Sequence, residues 1–302
     1  MEQAIIETDR LSVYYGRQRG VHNLDMVVQP GEIYGFLGPN GAGKTTTIRV
    51  LMDIIRPTAG KAQMFGMDCQ KEGVQIRQRV GYMPGELNLY PHLRADQYLA
   101  TVAAVRANSV DRSYTDNLCT RLGLDTRRQI QTYSHGNRQK VGLVAAFMSK
   151  PDLLILDEPT LGLDPLAQQT VLDIVREARS EGRTVFFSSH NLAEVQSVCD
   201  RVGIIRDGKL VASETVESLT RKQFHRISLS FKQTPPVDAF EISGVSEVSR
   251  VDNTVTLEIR DNLNALLSEA VRYQILDLES HPVTLEEVFL AYYGEGRRSN
   301  HA

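Results

Sequence analysis

Eight consecutive residues, Gly38 to Thr45, carry the clearest chemical signal in the chain. They read Gly-Pro-Asn-Gly-Ala-Gly-Lys-Thr and fit the pattern G-x-x-x-x-G-K-[ST]. Glycines let a backbone wrap phosphate oxygens with its N–H groups, the Lys44 ammonium can reach the β and γ phosphates, and the Thr45 hydroxyl can bind Mg²⁺. The predicted phosphate-binding residues are Gly38, Pro39, Asn40, Gly41, Ala42, Gly43, Lys44, Thr45 and Thr46.

The flanking sequence gives this segment the setting that phosphate binding requires. The apolar stretch Glu32–Leu37 predicts a buried strand before it, and the spacing after it predicts a helix over Lys44–Ile55 that Pro57 stops. A helix N-terminus adds positive dipole at the phosphates. The alternative is a glycine-rich turn that merely opens a helix, and it leaves Lys44 at its fixed place in the pattern unexplained.

Two adjacent carboxylates follow a second apolar stretch. Leu153–Leu156 predicts a buried strand that ends in Asp157 and Glu158. Carboxylates at the end of an apolar strand are costly unless metal or water meets them, so Asp157 is the predicted Mg²⁺ ligand. Glu158 then suits the role of general base on an attacking water. The apolar strand disfavours the alternative of two solvated acids in a loop.

His190 and the segment Ser134 to Asn137 are weaker signals when each is taken alone. His190 ends the predicted strand Thr184–Ser189, where an imidazole near a nucleotide can sense a γ-phosphate; a structural histidine is the simpler alternative. Ser134 suits the N-cap of the helix that follows, and a functional role would require an anion at that helix end.

The elements that position these residues alternate between strands and helices. Such alternation predicts an α/β core with a mostly parallel sheet that helices cover on both faces. A helical stretch from about residue 86 to 150 is predicted to form an inserted subdomain, with helices over Ala95–Arg106, Asp111–Leu122 and Gly136–Met148. The remaining predicted strands of this part are Ile5–Tyr15, Gly20–Val28, Arg201–Ile205 and Lys209–Ala212, the last two joined at an Asp-Gly turn.

The pattern changes beyond about residue 220. Strands and helices there follow the order β-α-β-β-α-β, which predicts a small α+β domain of the ferredoxin-like kind over residues 225–294. The predicted elements are His225–Phe231, a short helix Pro236–Phe240, Ser246–Val251, Thr254–Ile259, a helix Asn262–Val271, Gln274–Glu279 and a helix Leu285–Tyr293. Residues 295–302 are predicted to be a disordered tail.

Composition narrows the classes of protein that fit. The chain has 302 residues with a formal net charge of −3, so no global electrostatic attraction to nucleic acid is expected. Three cysteines without a zinc-binding spacing indicate reduced thiols, as in a cytosolic protein. No signal peptide is expected, and no apolar run approaches the ~18 residues that span a bilayer. A membrane role would therefore require docking on a protein that does span it.

The order of these motifs resembles the nucleotide-binding domain of ABC transporters over roughly residues 4 to 220. That order is the Gly38–Thr45 phosphate loop, Ser134-x-Gly136 at a helix start, Asp157-Glu158, Leu161–Asp164 and His190. The resemblance implies a P-loop NTPase core that binds ATP with Mg²⁺ and hydrolyses the ATP. It also implies that two subunits pair head to tail, as a homodimer or a heterodimer, with two ATP molecules between them.

Further roles follow from the resemblance alone. Residues matching Ser134 and Gly136 bind the γ-phosphate of ATP held by the opposite subunit, and Asp164 would lie at the dimer seam. Tyr15 best matches the ATP-sensing aromatic residue because it stands just before a glycine, with Tyr14 as its rival. Either tyrosine could instead be a strand aromatic in the core.

The chain departs from the family pattern at two places. The usual Leu-Ser-Gly-Gly-Gln signature has Tyr133, His135 and Asn137 in place of Leu, the first Gly and Gln. Gly85 stands where the family has a loop glutamine, and Glu86 follows it. We expect Glu86 to take over the contact with Mg²⁺ or water; the alternative is a surface loop acid.

Both departures, and the ending Thr284–Leu290, resemble the branch of the family that exports drugs and antibiotics. In that branch the ATPase is a separate polypeptide that pairs with an integral membrane permease subunit. The chain is therefore expected to be a peripheral exporter motor at the cytoplasmic face of the cell membrane, without a nucleic-acid partner. The alternatives are an importer and a soluble ABC ATPase that acts as a switch on ribosomes or nucleic acid.

Overall fold

The computed structural model describes residues 3–16, 18–106, 110–221, 225–259 and 262–281. The chain divides between Glu214 and Thr215 into two compact units, the N-terminal and the C-terminal unit. Among the described residues, no helix combines the length and the apolar character needed to cross a bilayer. The cysteines are buried and unpaired, as the sequence predicts: Cys69, Cys119 and Cys199.

Strands and helices alternate along the N-terminal unit. Its strands are β1 (Ile6–Tyr15), β2 (Gln18–Val28), β3 (Ile33–Leu37), β4 (Ala59–Met64), β5 (Met67–Asp68), β6 (Val80–Met83), β7 (Leu153–Asp157), β8 (Thr184–Ser189), β9 (Arg201–Arg206) and β10 (Lys209–Thr215). Its helices are α1 (Lys44–Leu51), α2 (Gly73–Arg79), α3 (Ala95–Ala104), α4 (Arg112–Arg121), α5 (His135–Phe147), α6 (Pro165–Ser180) and α7 (Leu192–Val198).

A six-stranded sheet forms the centre of this unit, in the strand order β10-β9-β3-β8-β7-β6. β3 pairs in parallel with β8 and β9, and β7 pairs in parallel with β6 and β8. Every residue of β3 and β7 is buried, because both strands have neighbours on each side and helices against their faces. The expected mostly parallel sheet is confirmed. The register of the parallel strands sets Leu37 opposite Ser189 and Asp157 opposite Ser188, at the carboxyl ends of the strands.

A second sheet, which is antiparallel, is missing from the sequence prediction. It has the order β2-β1-β4-β5 and adds Ile6, Leu24 and Met64 to the core. The sequence does not reveal β4 because Ala-Gly-Lys-Ala-Gln-Met lacks the β-branched and aromatic residues that mark strands. Pairing with β1 makes this segment a strand, so tertiary context decides its conformation.

The predicted helix Lys44–Ile55 is wrong at its C-terminal end, since α1 ends at Leu51. Asp53 takes a left-handed φ of 55°, and the N–H groups of Asp53 and Ile54 donate to carbonyls in the last turn of the helix. This backbone closure satisfies the last carbonyls of α1 and stops it well before Pro57.

α3, α4 and α5 lie between β6 and β7, where the sequence predicts an inserted helical subdomain. α5 is its most buried helix: every residue from Val141 to Phe147 is buried, and the helix contacts α3, α4 and β6. Gly81 lies where α5 crosses β6. A Cβ at that position would overlap the carbonyl oxygen of Ala146 and lie 2.7 Å from Cγ of Pro151. The helix and the sheet edge are therefore in direct backbone contact.

The elements of the C-terminal unit are α8 (Val216–Arg221), β11 (His225–Phe231), β12 (Val245–Val251), β13 (Thr254–Ile259), α9 (Leu263–Ala270) and β14 (Ile275–His281). The strands form an antiparallel sheet in the order β12-β13-β11-β14. Leu229, Phe231, Leu257 and Leu266 form its core with neighbouring apolar residues. This is the arrangement expected of the predicted ferredoxin-like domain.

The predicted short helix Pro236–Phe240 is wrong, because this segment forms a turn. Pro235 and Pro236 lack backbone donors, and the guanidinium of Arg250 donates to the carbonyl oxygens of both. The predicted helix Leu285–Tyr293, the segment Thr284–Leu290 and the tail 295–302 lie outside the described residues.

Replacing Gly81 with alanine should lower the free energy of unfolding by about 1–3 kcal/mol, because the added Cβ has no room between β6 and α5. Denaturant unfolding of the purified chain measures this. Val74→Ala is the control, since it trims an exposed side chain on α2 and should change the free energy of unfolding by less than about 0.5 kcal/mol. Equal stability of Gly81→Ala and the parent chain would contradict the close packing.

Candidate active site

The phosphate loop, Gly38 to Thr45, joins the buried end of β3 to α1. Gly43 is the N-cap of α1 with a left-handed φ of 111°, and a Cβ there would lie 2.6 Å from the carbonyl oxygen of Gly20. Only glycine meets both demands at this position. The first N–H groups of α1 lack partners within the helix and can bind an anion.

Lys44 is almost completely buried in this loop, with 6% of its side chain exposed. Its Nζ donates to the carbonyl oxygens of Gly38 at 2.6 Å and Pro39 at 3.3 Å. The same atom lies 3.2 Å from Oε1 of Glu158. A buried ammonium requires such partners. These contacts keep the positive charge beside the helix N-terminus, where triphosphate oxygens would bind.

Asp157 is fully buried at the end of β7 and is satisfied by two hydroxyl groups. Thr45 Oγ1 donates to its Oδ2 at 2.9 Å, and Ser188 Oγ donates to its Oδ1 at 2.5 Å. Two of the predicted metal ligands, Thr45 and Asp157, are therefore in contact. A hydroxyl and a carboxylate oxygen fit Mg²⁺, which takes few protein ligands and fills its shell with water and substrate phosphates.

Glu86, the third predicted metal ligand, does not join this pair. Its side chain is exposed and lines a separate cleft of about 330 Å³ with His135 and Arg138. Gly85 is the residue that faces Asp157, since a Cβ on it would lie 3.2 Å from Oδ2 of Asp157. The placement of Glu86 therefore favours the alternative of a surface loop acid.

Glu158 combines an unusual backbone conformation with two polar neighbours. Its φ of 51° is left-handed, a conformation that costs free energy in a residue other than glycine. Its Oε2 lies 2.8 Å from Nδ1 of His190, whereas its Oε1 faces Lys44 without the alignment of a hydrogen bond. Its main chain is held by Ser188, which accepts from its N–H, and by Gln139, whose Nε2 donates to its carbonyl at 3.2 Å. The carboxylate thus lies between an ammonium and an imidazole.

A cleft of about 280 Å³ opens beside the phosphate loop. Tyr15 lines it, and its Oη lies 3.5 Å from Oγ1 of Thr46. The hydroxyl of Tyr14 instead lies 2.8 Å from Nδ1 of His22. The structure therefore places Tyr15 and not its rival at the cleft. The sequence analysis missed three other residues that line this cleft. They lie at the start of β2, which pairs with the end of β1 that carries Tyr15: Gln18, Arg19 and Gly20.

Ser134, Gly136 and Asp164 do not line the cleft at the phosphate loop. Ser134 caps α5 with its hydroxyl, and a Cβ on Gly136 would lie 2.9 Å from the carbonyl oxygen of Gly162. Asp164 caps α6, where its carboxylate accepts a hydrogen bond from the N–H of Ala167 at 2.9 Å. This hydrogen bond holds the pKa of Asp164 below its usual range. The starts of α5 and α6 therefore lie side by side.

Two families match the sequence in succession. Residues 21–161 match the ABC transporter family, and residues 216–293 match the C-terminal domain of DrrA1-3-like ATP-binding proteins. The first match includes the phosphate loop and both carboxylates, and the second falls in the C-terminal unit.

Individual proteins that resemble this chain are also ATP-binding proteins or subunits. The bacitracin transport ATP-binding protein BcrA of Bacillus licheniformis is 37% identical over 72% of this chain and 72% of its own length. The daunorubicin resistance ATP-binding protein DrrA3 of Streptomyces coeruleorubidus is 31% identical, over 100% of both chains. A solved ATP-binding subunit of an ABC transporter superposes with a TM-score of 0.66 at 30% identity, over 72% of this chain and 92% of that one.

A phosphate loop after β3 and a carboxylate pair at the end of β7, both at the carboxyl ends of parallel strands, define a P-loop nucleoside triphosphatase. The chain belongs to the ATP-binding subunits of ABC transporters, a family whose members bind and hydrolyse ATP. The predicted resemblance to the ATPases of drug and antibiotic exporters, with their C-terminal extension, is confirmed.

Replacing Tyr15 with alanine should weaken ATP binding by about 5- to 150-fold, the effect of losing an aromatic ring that contributes about 1–3 kcal/mol by stacking on a base. Titration calorimetry with ATP measures the dissociation constant. Tyr14→Ala is the matched control and should bind ATP like the parent chain, because its hydroxyl is engaged with His22. A larger loss in Tyr14→Ala than in Tyr15→Ala would reverse the assignment.

Proposed function

We propose that the chain is the ATP-hydrolysing motor subunit of an ABC exporter that drives a drug-like or other substrate outward through a separate membrane subunit. The ATPase mechanism is supported by the meeting of Lys44, Glu158 and His190 beside the Thr45–Asp157 pair. The exporter role is supported by the two successive family matches and by the full-length similarity to a protein named for daunorubicin resistance.

Lys44 and the N-terminus of α1 would hold the triphosphate of ATP. Thr45 and Asp157 would hold Mg²⁺, which when bound neutralises charge on the β and γ phosphates. Asp157 already accepts two hydroxyl hydrogen bonds in a buried position, so its carboxylate needs no rearrangement to act. Tyr15, which lines the cleft, would contact the adenine.

Glu158 would act as the general base. Without nucleotide its Oε1 faces Lys44 and its Oε2 contacts His190. A triphosphate gives Lys44 a stronger anionic partner, which frees Oε1 to accept a proton from the attacking water. His190 holds the other oxygen with Nδ1, so it orients the carboxylate and can present its second nitrogen to the γ-phosphate.

The working unit would be a head-to-tail dimer of ATP-binding subunits. Ser134 and Gly136 do not line the cleft at their own phosphate loop, which supports their serving ATP held by the opposite subunit. The Ser134 hydroxyl and the N-terminus of α5 would then bind the γ-phosphate across the seam, with Asp164 beside them. A homodimer would contain two complete sites, and a heterodimer is the alternative.

The chain would act at the cytoplasmic face of the cell membrane, bound to an integral permease subunit. Residues 1–220 would form the ABC ATP-binding domain, with its helical subdomain at about residues 86–150. Residues 225–294 would form the accessory domain. The formal net charge of −3 gives nucleic acid no electrostatic attraction to the chain as a whole.

Glu158→Gln should lower kcat for ATP hydrolysis by about 10²- to 10⁴-fold and leave ATP binding intact, because the amide keeps the size of the side chain but cannot take a proton. Phosphate release measures turnover, and calorimetry measures binding. Glu7→Gln, which changes an exposed acid on β1, is the control and should keep the parent kcat. Normal turnover by Glu158→Gln would refute the assignment of the base.

The dimer has its own test. ATP with Mg²⁺ should convert Glu158→Gln from monomer to dimer in light scattering, because hydrolysis no longer reopens the pair. Adding Ser134→Phe should prevent this, since the ring would occupy the place of the phosphate. Asp111→Phe in the same background removes the N-cap of α4 and should leave the dimer unchanged. Dimerisation of the Ser134→Phe variant at the same ATP concentration would contradict the proposed seam.

The membrane partner is tested by purification. A chain tagged at its N-terminus is isolated from native membranes in mild detergent, and its stoichiometric companions are identified. We expect a polytopic membrane protein in equal ratio. Recovery only in the soluble fraction, alone or with ribosomes or nucleic acid, would overturn the exporter role and leave the ATPase assignment standing. A soluble substrate receptor in the membrane complex would indicate import instead.

A further inference from the structure

A buried carboxylate outside the residues discussed so far connects the two loops that carry Glu158 and His190. Glu194, on α7, is 9% exposed. Its Oε2 accepts hydrogen bonds from Thr160 Oγ1 at 2.8 Å and from Ser189 Oγ at 3.1 Å. Its Oε1 accepts one from Nδ2 of Asn191 at 3.2 Å. All three of these partners are neutral, and Glu194 lies in the first turn of α7, where the helix N-terminus also favours a negative charge.

The three partners of Glu194 bracket the proposed catalytic pair. Ser189 and Asn191 stand on either side of His190, and Thr160 follows Glu158 by two residues. Ser189 Oγ also accepts from the N–H of Asn191 at 2.9 Å, which closes the turn that presents His190. Glu194 thus forms hydrogen bonds both to the turn around His190 at the end of β8 and to the loop after β7.

We propose that Glu194 is a positioning residue for ATP hydrolysis. Its carboxylate fixes the loop of His190 against the loop of Glu158 and so sets the 2.8 Å contact between their side chains. The left-handed backbone of Glu158, with φ 51°, requires restraint of this kind from its surroundings. The proposal rests on the roles given above to Glu158 and His190.

A carboxylate suits this position better than other side chains. It is an acceptor only, so it can receive all three donors at once. A glutamine would keep the two bonds to Thr160 and Ser189 but turn its NH₂ group toward the amide of Asn191. An apolar side chain would leave the two buried hydroxyl donors, Thr160 and Ser189, without this partner. Loss of the carboxylate therefore releases the loop of His190 from the loop of Glu158, whereas loss of charge alone disturbs one bond.

Glu194 does not line the cleft at the phosphate loop, so its effect must reach ATP through other residues. We expect Glu194→Ala to lower kcat by about 10- to 100-fold, because small displacements of catalytic groups have effects of this size. The dissociation constant of ATP and the KM should change by less than about 3-fold. Glu194→Gln should keep kcat within about 3-fold of the parent chain.

The decisive comparison uses His190→Ala, which removes the contact that Glu194 is proposed to set. Adding Glu194→Ala to His190→Ala should lower kcat no further, because only one interaction is lost by both routes. A structural role would lower the kcat of both backgrounds by the same factor, and that result would overturn the proposal. Full turnover by His190→Ala would instead remove the catalytic role on which the proposal stands, and the proposal with it.

Glu32 is the matched control for simple destabilisation. It is also 9% exposed, but it lies at the other end of β3, where it accepts from the N–H of Gln29 and pairs with Arg201. Glu32→Ala should lower the Tm and leave the kcat of the folded protein unchanged. If Glu194→Ala loses turnover only in proportion to its folded fraction, the positioning role is refuted.

Thr160→Val keeps the test decisive if Glu194→Ala fails to fold. It preserves the shape of Thr160 and the charge of Glu194, and it removes one donor from the network. We expect a fall in kcat of about 3- to 10-fold, at unchanged KM, that disappears in the His190→Ala background. An unchanged kcat, or a fall that persists in that background, would overturn the proposal.

Discussion

The buried carboxylate of Asp157 is the interaction on which the active site depends. It ends β7 and accepts hydroxyl hydrogen bonds from Thr45, at the start of the helix after β3, and from Ser188 on β8. Without partners this charge would be costly to bury. With its two hydroxyl donors it connects β7 to β8 and to the helix after β3, at the carboxyl ends of these strands. The segments that follow these strand ends place Lys44, Glu158 and His190 close together.

Much of this arrangement could be predicted because its signals are local. A phosphate loop needs glycines and a lysine at fixed spacing, and the burial of Asp157 follows from the apolar strand before it. Hydrophobic periodicity likewise gave the parallel sheet and the ferredoxin-like strand order of the C-terminal unit, which the structure confirms. The roles of the individual site residues follow from the resemblance and from geometry, and they stay predictions.

Most of the remainder depends on contacts between segments that are distant in sequence, since β4 becomes a strand only by pairing with β1. The end of α1 is an exception, because its own local backbone closure stops it before Pro57. Side-chain direction is equally hidden: Gly85 faces Asp157, while the next residue, Glu86, is exposed. Three further residues could not be singled out from the sequence, because each looks locally like an ordinary strand or helix residue and its partner lies in another segment of the chain: Ser188, Gln139 and Glu194.

The left-handed backbone of Glu158 has a consequence for how this position can vary. Glycine is the residue that such a conformation favours, and it would relieve about 1 kcal/mol or more of strain. Glycine, however, has no carboxylate, so the residue best suited to the backbone is useless to the chemistry. Backbone strain and turnover therefore oppose each other at a single site. Relief of backbone strain alone would favour glycine there, whereas hydrolysis and the pairing of buried Lys44 both require the glutamate.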